Sequence, residues 1–247
     1  MSNTKFNIFL LVLFGAAMPA AVVLSTNLAR SSFEKVKLRD QTITVKGYAE
    51  RPISSDRAVF SAEIGAREKE LTAAYTKLEA DRAKVMAFLA TKGFAGDQVQ
   101  LGPVAIRTLY SRDAKGNPTN QIELHSVSQS VTIASATVKS IADAARDIST
   151  VIRDGVELSA SPPQYSYTKL DDVKLQMIAE ATGNARLRGE ALVKNSNNRL
   201  GTLRSASQGV FQITPAFSTE ISDSGVNDTS SIDKTIKATV TIEYAIE

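Results

Sequence analysis

The chain has 247 residues, of which 43% are hydrophobic and 22% charged, a composition typical of a globular protein with its own buried core. It contains no cysteine, which excludes a disulfide framework, a cysteine-ligated zinc site and a thiol nucleophile. The formal net charge is +3, but this surplus lies in residues 1–40, and the remainder of the chain is neutral. Nucleic-acid binding requires a basic surplus on the folded part, so we expect no nucleic acid as a partner.

The first 30 residues predict a transmembrane anchor. No charged residue occurs from Phe6 to Ala29, and this apolar stretch is long enough for a helix that spans a bilayer. The competing interpretation is a cleaved signal peptide with a small-residue cleavage site ending at Ala20. Because the apolar stretch continues past this site through Leu24, we favour an uncleaved anchor or signal over residues 1–30, with a linker over 31–40.

Two strands and a helix are predicted next. Thr42–Tyr48 is a short strand, and Arg57–Ala66 alternates apolar and polar residues as a half-buried strand does. Helical spacing follows, and Gly93 ends the helix. The predicted inner stripe of this helix consists of Leu71, Tyr75, Leu78, Arg82, Val85 and Leu89.

A hairpin and a second helix follow. Val99–Tyr110 is a strand in which Pro103 weakens the pairing, and this proline predicts an edge strand or a bulge. Residues 113–120 are rich in turn-forming residues and predict the hairpin loop. Ile122–Ile133 returns as a strand, and apolar residues then recur at helical spacing from Val138 to Ile152.

The remaining residues predict a short strand, a long helix and two further strands. The short strand lies near Tyr165, and the helix runs from Asp171, a candidate N-cap, to about Asn195. Leu200–Ile213 is a strand with a glycine-containing bend, and residues 214–234 are polar enough to predict a mobile loop. The final strand alternates clearly over residues 236–246. The predicted inner stripe of the long helix is Leu175, Ile178, Thr182, Ala185, Gly189 and Leu192.

The order of these elements is ββαββαβαββ, in which a strand–helix–strand unit occurs three times. It predicts an α+β fold of layered β-α-β repeats, with helices packed on antiparallel or mixed sheets and one N-terminal transmembrane helix in front. We expect residues 41–247 to form the folded domain.

The sequence shows no catalytic pattern. His125 is the only histidine, and it lies on a strand with no partner motif, so a half-exposed structural role is favoured over a catalytic one. Phosphate-binding glycine loops and calcium-loop patterns are absent. The adjacent carboxylates Asp171 and Asp172 lie at a helix start, where they complement the helix dipole. We therefore predict no catalytic, cofactor-binding or metal-binding residues, and no enzyme activity.

Several segments together resemble one known family. They are ITVKGYAERPISSDRAVFSAEIGA, QVQLGPVAIRTLY, HSVSQSVTI, the helix and strand DVKLQMIAEATGNARLRGEALVKNSNNRLGTLRSAS, and the closing strand KATVTIEYAI. In order and character they resemble the SIMPL-domain family, also called DUF541, over about residues 41–247. These are patterns of a fold rather than of a reaction, and the family has no established catalytic residues to transfer.

The resemblance implies a bacterial protein of the periplasm or anchored to the membrane. It also implies β-α-β repeats that assemble into large homo-oligomers, and links to oxidative stress and to the immunogenicity of the envelope. Our leading hypothesis is a non-catalytic envelope scaffold or oligomeric shell, anchored in the inner membrane by Phe6 to Ala29 with its domain in the periplasm. It would self-associate through strand edges, among them that of the final strand.

Two other classes of function remain open from the sequence. The first is a periplasmic carrier of a small molecule or lipid, with a cavity between sheet and helices. The second is an enzyme of unknown type, which the lack of the usual nucleophile and base sets disfavours.

Overall fold

The computed structural model describes residues 41–247, so the predicted anchor over residues 1–30 and the linker over 31–40 lie outside the described residues. In the described part, no helix is both long and apolar enough to cross a bilayer. The described residues have an α+β fold and divide into two compact units. The first unit comprises residues 41–49, 176–209 and 238–247, and the second comprises residues 50–175 and 210–237.

Ten strands and four helices make up these units. The strands are β1 (Thr42–Ser54), β2 (Arg57–Glu68), β3 (Val99–Arg112), β4 (Pro118–Ser135), β5 (Glu157–Ala160), β6 (Gln164–Ser166), β7 (Leu200–Gln208), β8 (Gln212–Pro215), β9 (Val226–Asn227) and β10 (Asp233–Ile246). The helices are α1 (Leu71–Thr91), α2 (Val138–Asp147), α3 (Ser149–Arg153) and α4 (Leu170–Lys194), with one 3-10 turn at Gly96–Gln98. β1, α4 and β10 contribute residues to both units.

The second unit is built on a five-stranded antiparallel sheet. Its strand order is β3-β4-β2-β5, and β6 also pairs with β2. The predicted alternation of β2 is confirmed, because every second residue from Ala58 to Ala66 is buried while the residues between them are not. The buried face packs against α1 and α2 and forms one continuous core.

The predicted inner stripe of α1 is partly wrong. Leu78, Val85 and Leu89 are buried as expected, but Leu71 and Tyr75 are exposed. Asp81 takes part in the buried stripe. Its Oδ1 lies 3.2 Å from the Nζ atom of Lys84 on the next turn, and its Oδ2 atom has no hydrogen-bond partner among residues 41–247. A carboxylate among apolar residues was not anticipated, because the periodicity of the apolar residues alone placed the helix face about one residue away.

In the first unit, strands pack against the long helix α4. β10 pairs antiparallel with β7, with Ile242 opposite Ala206, and the backbone N–H of Ile246 donates to the carbonyl of Gln41 beside β1. The predicted alternation of the final strand is confirmed, since Val240 and Ile242 are among its buried residues. The predicted bend in residues 200–213 is also observed, because β7 ends and β8 begins on either side of Gly209.

The face that α4 buries differs from the predicted one. Ala185 and Gly189 are buried as expected, but Leu175 and Leu192 are exposed. The residues that are buried along this helix are Val173, Met177, Ala181, Ala185, Gly189 and Val193. The helix begins at Leu170, so Asp171 lies in its first turn rather than at its N-cap.

Residues 214–234 contain regular structure within the second unit. β8 pairs in parallel with the short strand β9, and β10 already begins at Asp233. The side chain of Lys234 is buried and lies 3.1 Å from a carboxylate oxygen of Asp228. Whether the rest of this segment moves in solution stays a prediction.

Candidate interaction surface

β3 leaves a long strand edge unpaired. It is the end strand of its sheet, with β4 on one side and no neighbouring strand on the other in the described residues. An unpaired edge exposes a row of backbone N–H and C=O groups that can pair with another chain. Pro103 was predicted to mark an edge strand or a bulge, and both are confirmed, since the register shifts between Leu101 and Val104.

Between its irregularities, β3 keeps one continuous stretch. From Val104 to Leu109 it pairs in register with β4, and the next shift falls between Leu109 and Tyr110. β3 contributes Arg107 as the one charged side chain of this stretch. Six residues are enough for a typical strand pairing, which has about five to six residues.

The β3–β4 hairpin extends beyond the rest of the sheet. The last residue of β2 paired with β4 is Glu68, which lies opposite His125. Within the described residues, positions 109–124, which we call the hairpin arm, therefore form a ribbon of only two strands. Such a ribbon is marginally stable in water unless another surface packs against it.

Polar contacts at its tip hold the hairpin arm in shape. The carboxylate of Asp113 accepts hydrogen bonds from the backbone N–H groups of Lys115 and Asn117, at 2.8 and 2.9 Å. These bonds and the side chain of Asn117 lower the pKa of Asp113. The hydroxyls of Ser111 and Thr119 lie 2.6 Å apart across the ribbon. The turn lies where residues 113–120 predicted the hairpin loop.

Large apolar side chains are exposed along this edge and arm. Ile106 on the open stretch of β3 is 58% exposed. Tyr110 and Ile122 lie opposite each other in the arm, at 50% and 54% exposed. Single exposed apolar residues are ordinary, but a row of them beside an unpaired edge marks a contact surface.

The outer face of the same sheet, opposite α1 and α2, is polar. It holds a cleft of about 490 Å³ whose lining includes Arg67, Arg107, Ser126 and Glu157. Arg67 and Arg107 both lie opposite Ser126 on its two neighbouring strands. Arg67 pairs with Glu157 at 2.9 Å, and both side chains are largely exposed. This cleft is open and mixed in charge, and it does not lie between sheet and helices, where the carrier hypothesis places a cavity.

His125 lies on β4 and is half-buried. Its Nδ1 atom is 3.3 Å from the hydroxyl of Thr108 on the neighbouring strand. Among the described residues, no group of three or more His, Asp or Glu side chains is arranged to hold a metal ion. Asp171 and Asp172 lie in the first turn of α4, with Asp171 at 4.0 Å from Lys174. The structure thus does not bring these residues together into one site.

One prediction about this surface is wrong. We expected the final strand to offer an edge for pairing, but β10 has β1 on one side and β7 and β8 on the other. The long free edge belongs to β3 instead. Pro103 was the one sequence signal of it, because proline lacks the N–H that a central strand needs.

Comparison with known proteins identifies the family of this chain. No curated protein sequence matches the chain. Two solved structures are weakly similar, with TM-scores of 0.26: a putative aminohydrolase from methicillin resistant Staphylococcus aureus, at 12% identity, and a hydantoinase/carbamoylase family amidase from Burkholderia ambifaria, at 15%. The matches cover 50% and 54% of this chain but only 33% and 35% of those proteins. The family described as "SIMPL: Protein of unknown function (DUF541)" matches residues 43–244, and the chain belongs to this family.

Proposed function

We propose that this protein is a non-catalytic scaffold of the bacterial cell envelope that assembles into homo-oligomers. In this proposal residues 6–29 anchor it in the inner membrane, residues 41–247 lie in the periplasm, and the assembly acts in the response to oxidative or envelope stress. One observation carries the proposal of assembly. The unpaired edge of β3 lies beside exposed apolar side chains of the same strand and of the hairpin arm.

The physical reason is that an unpaired strand edge leaves backbone N–H and C=O groups without partners in the sheet and apolar side chains in water. Monomeric proteins protect long edges with charges, prolines and bulges. β3 has Pro103 and three register shifts on either side of the stretch from Val104 to Leu109, but this stretch itself stays open. Pairing with a second copy would satisfy its backbone groups and remove Ile106 and Tyr110 from water. The core of an oligomer interface is apolar in this way, with a polar rim.

We predict that the full chain in a mild detergent has the mass of an oligomer, measured by size-exclusion chromatography with light scattering. The double substitution Ile106→Lys with Tyr110→Lys is expected to shift this mass to that of smaller species. The lysines place charge where apolar contact would form and protect the strand edge. Both positions are exposed, so the substitutions should leave the fold intact.

Ile152→Ser is the matched control, because Ile152 is a large apolar residue, 48% exposed, that lies on α3 outside the edge and the arm. It should leave the mass unchanged. If the unmodified chain is a monomer at micromolar concentration, the proposal of assembly fails. If the double lysine variant keeps the full mass of the unmodified chain, assembly stands but uses another surface.

The proposed location has its own test. An alkaline phosphatase fused after Glu247 is expected to be active in intact cells, because this enzyme folds only when exported to the periplasm. A matched fusion that lacks residues 1–30 should be inactive, since the apolar stretch within them is the export and anchoring signal. An inactive full-length fusion would contradict the periplasmic orientation.

A further inference from the structure

A loop of the second unit exposes two large apolar side chains. Phe217 is 101% exposed and Ile221 is 77% exposed, the highest values for large apolar residues in the described part of the chain. Phe217 has a φ of 65°, a left-handed conformation that a bulky residue seldom adopts. Neither burial of the side chain nor a favourable backbone conformation explains a phenylalanine at position 217.

This loop, residues 216–222, is held at both ends. The backbone N–H of Ala216 donates to the carbonyl of Asp233 at 3.1 Å. The Nζ atom of Lys237 donates to the carbonyl of Ser218 at 2.6 Å. At the far end, the side chain of Gln212 bonds to both backbone groups of Ser222, at 2.7 and 3.2 Å. These hydrogen bonds restrain both ends of the loop that carries Phe217, which lowers the entropy lost on contact with a partner.

A cleft in the first unit has the matching chemistry. It is a wide, open cleft between β1 and α4 with a volume of about 420 Å³. Its exposed lining surface is mostly apolar, and Val45, Ala191 and Leu192 line it together with Thr44, Lys46 and Arg188. Leu192 is 57% exposed, so an apolar group in the cleft would remove it from water.

The charges of the loop and the cleft are opposite. Glu220 and Asp223 lie beside Phe217 and Ile221, and neither carboxylate forms an ion pair with another described residue. At the cleft, no described carboxylate pairs with the cations: Arg188 donates to the carbonyl of Lys46 at 3.2 Å. Complementary unpaired charges around an apolar contact are what steers two surfaces together and sets their register.

We propose that the loop of residues 216–222 in one copy of this chain inserts Phe217 into the cleft between β1 and α4 of a second copy. Glu220 then faces Lys46 and Arg188 of that second copy. The contact joins two different surfaces, so each copy keeps a free loop or a free cleft for the next one. This inference rests on the proposed self-assembly. It adds a head-to-tail contact that closes rings or extends arrays, which an edge-to-edge pair of β3 strands cannot do alone.

Introduced cysteines test the contact directly, because the chain contains none of its own. Full chains carrying Ile221→Cys and Ala191→Cys, with different tags, are co-expressed and oxidised in intact cells. We expect a disulfide-linked heterodimer on a non-reducing gel. Either variant alone, and the control pair of Ile221→Cys with Ser205→Cys, should show only background, since Ser205 is exposed on β7 outside the cleft.

Charge reversal distinguishes a disulfide formed at the proposed contact from one formed by random collision. In the cysteine pair, adding Glu220→Lys to the Ile221→Cys chain should lower the yield of heterodimer by about tenfold or more, because like charges then face each other. Adding Lys46→Glu and Arg188→Glu to the Ala191→Cys chain should restore it. Restoration by a second charge reversal cannot result from a folding defect.

Light scattering on the same chains distinguishes this contact from the proposed assembly. An oligomer without the heterodimer, or without rescue by charge reversal, overturns the loop-and-cleft contact and leaves self-assembly standing. If light scattering shows that the chain is a monomer, both self-assembly and the loop-and-cleft contact are wrong. A fluorophore on Ile221→Cys could instead report insertion into phosphatidylcholine vesicles while no heterodimer forms. The loop would then bind the bilayer rather than a second copy, and the proposal would be wrong.

Discussion

Replacing Asp228 with alanine is expected to lower the free energy of unfolding by about 3–5 kcal/mol, the cost of leaving a buried charge without its partner. The side chains of Lys234 and Asp228 are only 2% and 6% exposed, so solvent screens the pair little. Lys234 donates to both the carbonyl and the carboxylate of Asp228, at 2.6 and 3.1 Å. Urea unfolding of the full chain in detergent, followed by circular dichroism, measures the effect.

The double variant Asp228→Asn with Lys234→Met is the matched control. It removes both charges and keeps side chains of similar size, so most of the lost stability should return. If Asp228→Ala costs less than about 1 kcal/mol, the pair is not a buried ion pair in solution, and the assignment is wrong.

The dependence on pH supplies a second readout of the same pair. Burial alone would raise the pKa of Asp228, but hydrogen bonds from Ser231, Ser230 and Lys234 outweigh burial and lower it. A carboxyl group with a lowered folded-state pKa contributes stability above its unfolded value of about 3.9, and this contribution is lost as the pH falls below it. The difference between the unmodified chain and Asp228→Ala should therefore shrink as the pH falls from 5 towards 2.

Gly47→Ala is expected to cost about 3 kcal/mol, at the upper end of the penalty for overpacking. A Cβ atom at this position would lie 2.0 Å from the carbonyl oxygen of Ala181 and 2.7 Å from the Cβ of Ala185. Both residues belong to α4, whose Asn184 also accepts a hydrogen bond from the backbone of Tyr48 at 3.1 Å. Because the obstructing oxygen is a backbone atom, the helix itself would have to shift away from β1.

Gly183→Ala on the same helix is the control for this substitution. A Cβ atom there meets nothing within 4 Å, so the alanine should stabilise the helix by about 0.5–1 kcal/mol. The two variants should thus change stability in opposite directions in the same unfolding experiment. Equal tolerance of alanine at both positions would contradict the close approach of α4 to β1.

The two contacts proposed for assembly have different consequences. An isologous pair of β3 edges gives a dimer and then stops. The loop of residues 216–222 and the cleft between β1 and α4 are different surfaces, so their contact repeats from copy to copy. A chain with both contacts can build a closed or extended shell, whereas the β3 contact alone stops at a dimer.

The sequence by itself determined the elements with strong local patterns. The alternation of Arg57–Ala66 and of the final strand predicted the buried faces of β2 and β10, because a strand places every second side chain on one face. The helices also formed where apolar residues recur at helical spacing. Their buried faces were predicted less well, as Leu71 on α1 and Leu175 on α4 are exposed. The four residues of β5 were missed, because so short a strand has no period to recognise.

Only the tertiary structure decided the candidate interaction surface. Which strand lies at the edge of a sheet depends on pairing between residues far apart in the sequence. β10, for example, pairs with β1, the first strand of the described residues, and no local pattern encodes this pairing. The same holds for the burial of Lys234 beside Asp228 and for the cleft between β1 and α4. Periodicity reports which side of an element is apolar, whereas edges, clefts and buried charges arise when elements far apart in the chain meet.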